Sequence, residues 1–279
     1  MPVLARIILF GTLALATIAC SQGPAPLAVV ANAPGTFDAG EPQRLMVALV
    51  EVETSSYLAS PDLEAEAILT TPGGEEVGMA TEFVWTVPNE VGIYLVRATF
   101  DEPGTWWVKL KASGLAESMR ASFTVGEDTD PMPGIGDEAI AVETRTSADH
   151  ELEEISTDPD PDPAFYTTSL DEAINNGQPS VIVFATPAFC VSQTCGPMLD
   201  QVKSVATDRA GTNFLHVEIY ENAHTATAED LQIDPAVSAW GLPSEPWVFV
   251  VDADGVVSAR FEGTLAEGEL EEALASVGA

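Results

Sequence analysis

Ser180-Val-Ile-Val-Phe-Ala185-Thr-Pro-Ala-Phe-Cys190-Val-Ser-Gln-Thr-Cys195-Gly-Pro-Met-Leu-Asp200 decides how the C-terminal half of this chain is read. Residues Ser180 to Ala185 form a continuous apolar run without alternation, as a strand covered on both faces requires. A cysteine sits just past the end of that run. A second stands where helical spacing begins, with Met198, Leu199, Val202, Val205 and Ala206 recurring between Pro197 and about Arg209. A helix start is a useful place for a thiol. Its unpaired N–H groups and partial positive charge stabilise a thiolate and lower its pKa. A second thiol within reach can resolve a mixed disulfide.

Working outward, Thr168-Ser169 can cap a helix from Leu170 to Asn176, with Asp171 and Glu172 in its first turn and Gly177 at its end. Asn213 to Tyr220 reads as a second strand. Trp247 to Asp252 and Val256 to Phe261 flank Asp254-Gly255, a strong hairpin signal. An amphipathic helix from Ala266 to Ala275, carrying Leu270, Ala273 and Leu274, closes the chain. The order is α-β-α-β-α-β-β-α.

With that order, the strand-Cys-helix unit and Gly241-Leu-Pro-Ser-Glu-Pro246-Trp-Val-Phe-Val, residues 164–279 resemble the thioredoxin-like superfamily. The resemblance implies an α/β thioredoxin-like fold and thiol–disulfide exchange by Cys190 and Cys195. It also implies a cis Pro246 lying against the active-site sulfur, with Phe189 and Trp247 lining the substrate edge. The spacing departs from the family's C-x-x-C, being C-x-x-x-x-C here. Cys195-Gly196-Pro197-Met198 also reads as the family's C-G-P-C with Met in the second Cys position. The nucleophile is therefore Cys190 in one register, which we prefer, or Cys195 in the other. The acid that many thioredoxins bury in the strand before the first Cys is replaced by apolar residues around Val183 and Phe184, so no dedicated proton acceptor is visible.

Two other readings stand beside exchange. The pair can be a structural staple closing a short loop, whose entropic stabilisation is modest. Alternatively Cys190, Cys195 and His216, with His224 in the loop beyond, make a soft donor set suited to Cu(I). Sco-type copper chaperones resemble that arrangement, although their C-x-x-x-C is one residue shorter. Under the exchange reading no cofactor is needed.

Upstream, residues 27–126 are short apolar runs separated by turn residues: QRLMVALVEVE, EAEAILTTP, TEFVWTVP, GIYLVRATF, GTWWVKLKAS and RASFTVG. β-Branched and aromatic residues dominate, and Tyr94 to Phe100 alternates. Short strands at this spacing predict an all-β antiparallel sandwich. GIYLVRATFDEPGTWWVKLKAS resembles the end of extracytoplasmic immunoglobulin-like modules, the YtkA-like group among them. Of Trp85, Trp106 and Trp107, the adjacent pair is expected to put one ring in the core and the other at an edge or interface, rather than to form a ligand surface.

Between the domains, residues 127–163 carry a dense run of acids, one base (Arg145) and five prolines, ending Asp158-Pro-Asp-Pro-Asp-Pro163. Such a stretch is stiff and self-repelling, so we expect a solvated linker holding the domains apart. It lacks the glycine turn and closing Glu of a calcium loop.

Residues 1–20, MPVLARIILFGTLALATIAC, place one charge, Arg6, before an apolar run from Ile7 to Ala19. The run is short for a membrane span and fits a signal peptide. Ala19-Cys20 resembles a bacterial lipobox, with Thr17 where Leu is usual. The resemblance implies lipidation at Cys20 and a membrane-anchored protein on the extracytoplasmic face. Its partners would then be exported proteins with thiols or disulfides.

The chain has 279 residues, with 10 Lys plus Arg against 44 Asp plus Glu, a formal charge of −34. A surface this acidic repels phosphate backbones and excludes nucleic-acid binding through a basic face. Three cysteines cannot build a disulfide scaffold or a four-cysteine zinc site. No P-loop, G-x-S-x-G elbow or H-E-x-x-H helix is present.

Overall fold

The computed structural model describes residues 26–32, 37–126, 132–207, 209–227 and 229–279. Residues 1–20, read from sequence as a signal peptide ending at Cys20, lie outside the described residues. No helix among the described residues is long and apolar enough to cross a membrane.

The chain is mostly β. Among the described residues ten strands build its N-terminal half: β1 (Leu27–Asn32), β2 (Phe37–Asp38), β3 (Pro42–Glu51), β4 (Ser56–Tyr57), β5 (Ala65–Thr70), β6 (Glu76–Ala80), β7 (Glu82–Val87), β8 (Val91–Thr99), β9 (Gly104–Ala112) and β10 (Ala121–Gly126). They form two sheets, β1-β3-β8-β7 with β4 beside β3, and β2-β10-β9-β5-β6. Every pairing is antiparallel except β2 with β10. The inner faces close on one core, in which Leu45, Val47 and Leu49 meet Val108, Leu110, Phe100 and Phe123. Trp106 is buried there, while Trp107 stays half exposed with the Arg120 guanidinium 4.1 Å over its ring. The adjacent tryptophans thus divide between the core and the outer face of a central strand, not an edge.

The C-terminal half contains α1 (Leu152–Ile155), a single 3-10 turn (Pro163–Tyr166), α2 (Leu170–Asn175), β11 (Ser180–Ala185), α3 (Cys195–Ala206), β12 (Asn213–Glu218), α4 (Pro235–Trp240), β13 (Trp247–Val251), β14 (Val257–Glu262) and α5 (Glu269–Ser276). Its sheet runs β12-β11-β13-β14. β11 and β12 are parallel, and the other two pairings are antiparallel. All six residues of β11 are buried, because both faces of the sheet are covered. Ile182 and Phe184 pack with Leu170, Trp240 and Phe249 on one face. Val181 and Val183 pack with Met198, Val202, Leu270 and Leu274 on the other. Each such fully buried aliphatic side chain contributes about 1.5–3 kcal/mol.

Residues 132–163 do not behave as a solvated spacer. Met132 is buried in the first of these clusters, with Ile140 and Val142 packed against it, and Ile155 is buried in the second. The backbone of Asp137 and Ala139 bonds to the β13–β14 hairpin, and Trp240 Nε1 donates to Ile140 O at 2.9 Å. Asp158 is held by Lys203 at 2.8 Å. Apart from Asp158 the acids face out, while a few spaced apolar residues cross the domain surface, so this segment belongs to the packing of the C-terminal half.

The two halves also touch directly. Arg44 of β3 donates from Nε and Nη2 to the two carboxylate oxygens of Glu269, at 2.8 Å each. Arg97 of β8 reaches the same carboxylate at 2.6 Å, and Arg260 of β14 pairs with Asp38 at 2.7 Å. Met46, Ala48, Ile93 and Leu95 are buried with Ala266 at this seam. β3 therefore reads as an unbroken apolar run because both of its faces are covered, one by the sandwich core and one by the other domain.

Candidate redox site

β11 ends at Ala185, and a short turn carries the chain through Thr186 and Phe189 to Cys190. Cys190 and Cys195 are joined as a disulfide with Cα atoms 6.0 Å apart. The four residues between them form an exposed loop that Gln193 turns with a φ of +60°. Val191 at its tip is 93% exposed. The two sulfurs sit in different surroundings. Cys195 is the first residue of α3 and wholly buried. Cys190 is only partly covered. The backbone N–H of Cys195 donates to the Cys190 sulfur at 3.3 Å, and Ser192 Oγ lies 3.2 Å from it. The first amide of a twelve-residue helix is thus aimed at the accessible sulfur.

The peptide bond before Pro246 is cis, and Pro246 is buried at the start of β13. Phe189 is half-buried and meets the Tyr220 ring edge-to-face at 6.0 Å. Trp247, expected at the binding edge, is instead 3% exposed. Its ring stacks near Phe249 and its Nε1 donates to Ser244 Oγ at 3.0 Å. The alternation of β13 turns it into the sheet core.

His216, on β12 beside Val183, is buried. Its Nε2 lies 3.0 Å from Ala185 O, which can only accept, so that nitrogen carries the proton. Nδ1 is then an acceptor, with the Tyr166 hydroxyl 2.7 Å away, and that hydroxyl is also hydrogen-bonded to Ser156 Oγ at 2.8 Å. Burial pushes the His216 pKa below 6.5, against the pull of Glu218. Burial likewise raises the Tyr166 phenol above its usual range. His224 is exposed on a turn. Among the described residues no three His, Cys, Asp or Glu side chains gather as a metal site, so Cys190, Cys195 and His216 are not brought together as one.

Glu218 was not singled out by its sequence context, since one acid among 44 carries no signal. It is buried at the end of β12, paired in register with Ala185. Its carboxylate accepts from Thr157 N at 2.9 Å, Thr157 Oγ1 at 2.7 Å and Ile219 N at 3.1 Å. Thr157 Oγ1 also accepts from Ala188 N at 3.2 Å, which ties the segment before α2 to the turn that presents Cys190. Thr186 Oγ1, in that same turn, is the one buried side-chain oxygen among the described residues that lacks a hydrogen-bond partner.

No protein-family model matches the chain, and no curated protein matches it. Among solved structures, the Lin-41 filamin domain aligns over 38% of this chain and 98% of its own, at 16% identity and a TM-score of 0.25. A lipoprotein from Bacteroides thetaiotaomicron aligns over 39% of this chain and 85% of its own, at 12% identity and a TM-score of 0.21. Likenesses this distant do not bear on what the chain does.

Proposed function

We propose that this chain is a membrane-anchored, extracytoplasmic protein whose C-terminal domain is thioredoxin-like and exchanges disulfides with exported proteins through Cys190 and Cys195. The lipid anchor at Cys20 and an immunoglobulin-like character of the sandwich are part of the same proposal. One observation carries it: an accessible cysteine sulfur faces the first amide of α3, with its partner sulfur buried in the helix beneath. Further support comes from the sheet order β12-β11-β13-β14, with the cysteines between the parallel pair at the carboxyl end of the central strand.

In the reduced protein, the Cys190 thiolate attacks one sulfur of a substrate disulfide. A Cys190–substrate disulfide forms, and the other substrate sulfur leaves as a thiolate. Cys195, once deprotonated, attacks the Cys190 sulfur and releases the second substrate thiolate. The substrate gains two electrons and the protein is left as the Cys190–Cys195 disulfide. From the oxidised protein the same steps run backwards, and a substrate dithiol is oxidised. The buried sulfur suits the resolving role, which is intramolecular. The exposed one suits attack on a macromolecule.

The test is trapping. Cys195→Ser should accumulate a mixed disulfide between Cys190 and an exported protein, visible by non-reducing electrophoresis and mass spectrometry. Cys190→Ser should not. Equal absence of adducts in both variants would refute the exchange reading.

A further inference from the structure

The seam between the two halves opens, beside the cysteine loop, into a cleft of about 290 Å³. One side is the outer face of the sandwich, where Val30, Tyr57 and Ile93 line it. The opposite side is Ser192 and Thr194 from the loop between the cysteines, with Glu245 immediately before Pro246. Val30 and Tyr57 are 54% and 51% exposed, although the same sheet face is sealed against Ala266 further along. The cleft therefore continues an existing interdomain interface into open apolar surface at the point where it reaches the redox loop. A wall of this kind favours an apolar side chain.

The charge of the cleft is one-sided. Glu245 and Glu262 line it, and no lysine or arginine does so among the described residues. Glu262 Oε1 accepts from Ser244 Oγ at 2.6 Å, whereas the Glu245 carboxylate has no hydrogen-bond or ion-pair partner among the described residues. Burial raises the pKa of both carboxyls by opposing their charged form, with Arg44 acting the other way on Glu262, and a cation placed beside Glu245 would restore that form whereas an anion would oppose it.

We propose that this cleft is the substrate site. It binds an extended segment of a cysteine-bearing exported polypeptide, with an apolar side chain against Val30 and Tyr57 and a lysine or arginine beside Glu245. The assignment rests on the exchange reading above and adds to it that the sandwich selects the substrate. A small thiol reacts with Cys190 without touching the sandwich, whereas a peptide touches both walls.

The experiment measures rates of exchange between the oxidised full chain and three reductants: dithiothreitol, a Lys-Phe-Cys-Leu-Lys peptide, and its Asp-Phe-Cys-Leu-Asp counterpart. The lysine peptide should react faster than the aspartate peptide, and Glu245→Gln should narrow that gap. Tyr57→Ser and Val30→Ser, both at exposed positions that the fold does not require, should together slow the lysine peptide about tenfold or more. The dithiothreitol rate should not change. If dithiothreitol reacts normally but neither peptide charge nor the sandwich variants matter, the cleft assignment is overturned and the exchange reading survives. If none of the three reacts, the exchange reading falls, and the cleft assignment with it.

Discussion

The backbone N–H of Cys195 lies 3.3 Å from the sulfur of Cys190, while the sulfur of Cys195 itself is buried with Met198, Val181 and Val183. Five residues of sequence separation have made two chemically different thiols. One faces solvent and a helix N-terminus, where a negative sulfur is stabilised. The other is shielded by the core and responds only to a neighbour.

That asymmetry should appear in the reduced protein as unequal alkylation. With iodoacetamide at pH 7, Cys190 should be labelled at least about tenfold faster than Cys195. Peptide mapping by mass spectrometry reads both sites. Equal rates, or faster labelling of Cys195, would exchange their roles.

The seam between the halves depends on Glu269, which is buried between Arg44 and Arg97. Burial alone would raise its pKa, but the Arg44 charge, the Ala266 N–H and Arg97 outweigh it and hold the carboxyl below 4.5. The Arg44 and Glu269 side chains are 14% and 7% exposed, whereas Arg97 is 51% exposed. Arg44→Met should therefore cost about 3–5 kcal/mol, since it strips the main partner from a buried charge. Arg97→Met, at the exposed rim, should cost under about 1 kcal/mol. Urea unfolding distinguishes them. The stabilisation from Glu269 should be present above pH 4.5 and lost as pH falls through its lower folded value.

His216 supplies a second pH signature of opposite chemical origin. It is neutral in the fold, its pKa depressed from 6.5 by burial. Glu218 and Asp158 act to raise that pKa, and Lys203 to lower it further. Below pH 6.5 the unfolded chain takes up a proton that the folded chain refuses, so stability falls as pH falls. The loss approaches about 1.4 kcal/mol per pH unit. The destabilisation caused by His216→Gln should accordingly shrink between pH 7.5 and 5.5 in paired urea titrations. A constant difference would mean that His216 is not the titrating group.

Thr186 buries a hydroxyl oxygen that finds no partner among the described residues. Thr186→Val keeps the shape and removes the unmet hydroxyl, so it should stabilise the chain by about 1–2 kcal/mol and leave exchange rates unchanged. Loss of stability would show that the hydroxyl is satisfied in solution.

Much of this was legible in the residues. Continuous apolar runs marked Ser180 to Ala185 and Trp247 to Val251, because each strand is covered on both faces. Asp254-Gly255 marked the hairpin, with Gly255 at a φ of +83°. The six sandwich runs each contain a strand, but β6 was silent because Glu76 to Ala80 is a largely exposed edge. Residues 132–163 misled because composition counts every acid equally, whereas packing depends on where Met132, Ile140 and Ile155 fall. Trp247 misled because nearness to Pro246 does not say which way a strand residue points. The seam had an unread signal: Met46, Ala48, Ile93 and Leu95 are apolar on the face of β3 and β8 that a lone sandwich would expose.

The measurement that bears most directly on the proposed function is the midpoint potential of the Cys190–Cys195 pair. It is read by counting alkylated thiols by mass across a redox series, on the chain carrying Cys20→Ser. Exchange requires a value between about −120 and −270 mV, the range of proteins that trade disulfides. A value below about −300 mV would make the pair a structural staple and contradict the proposal.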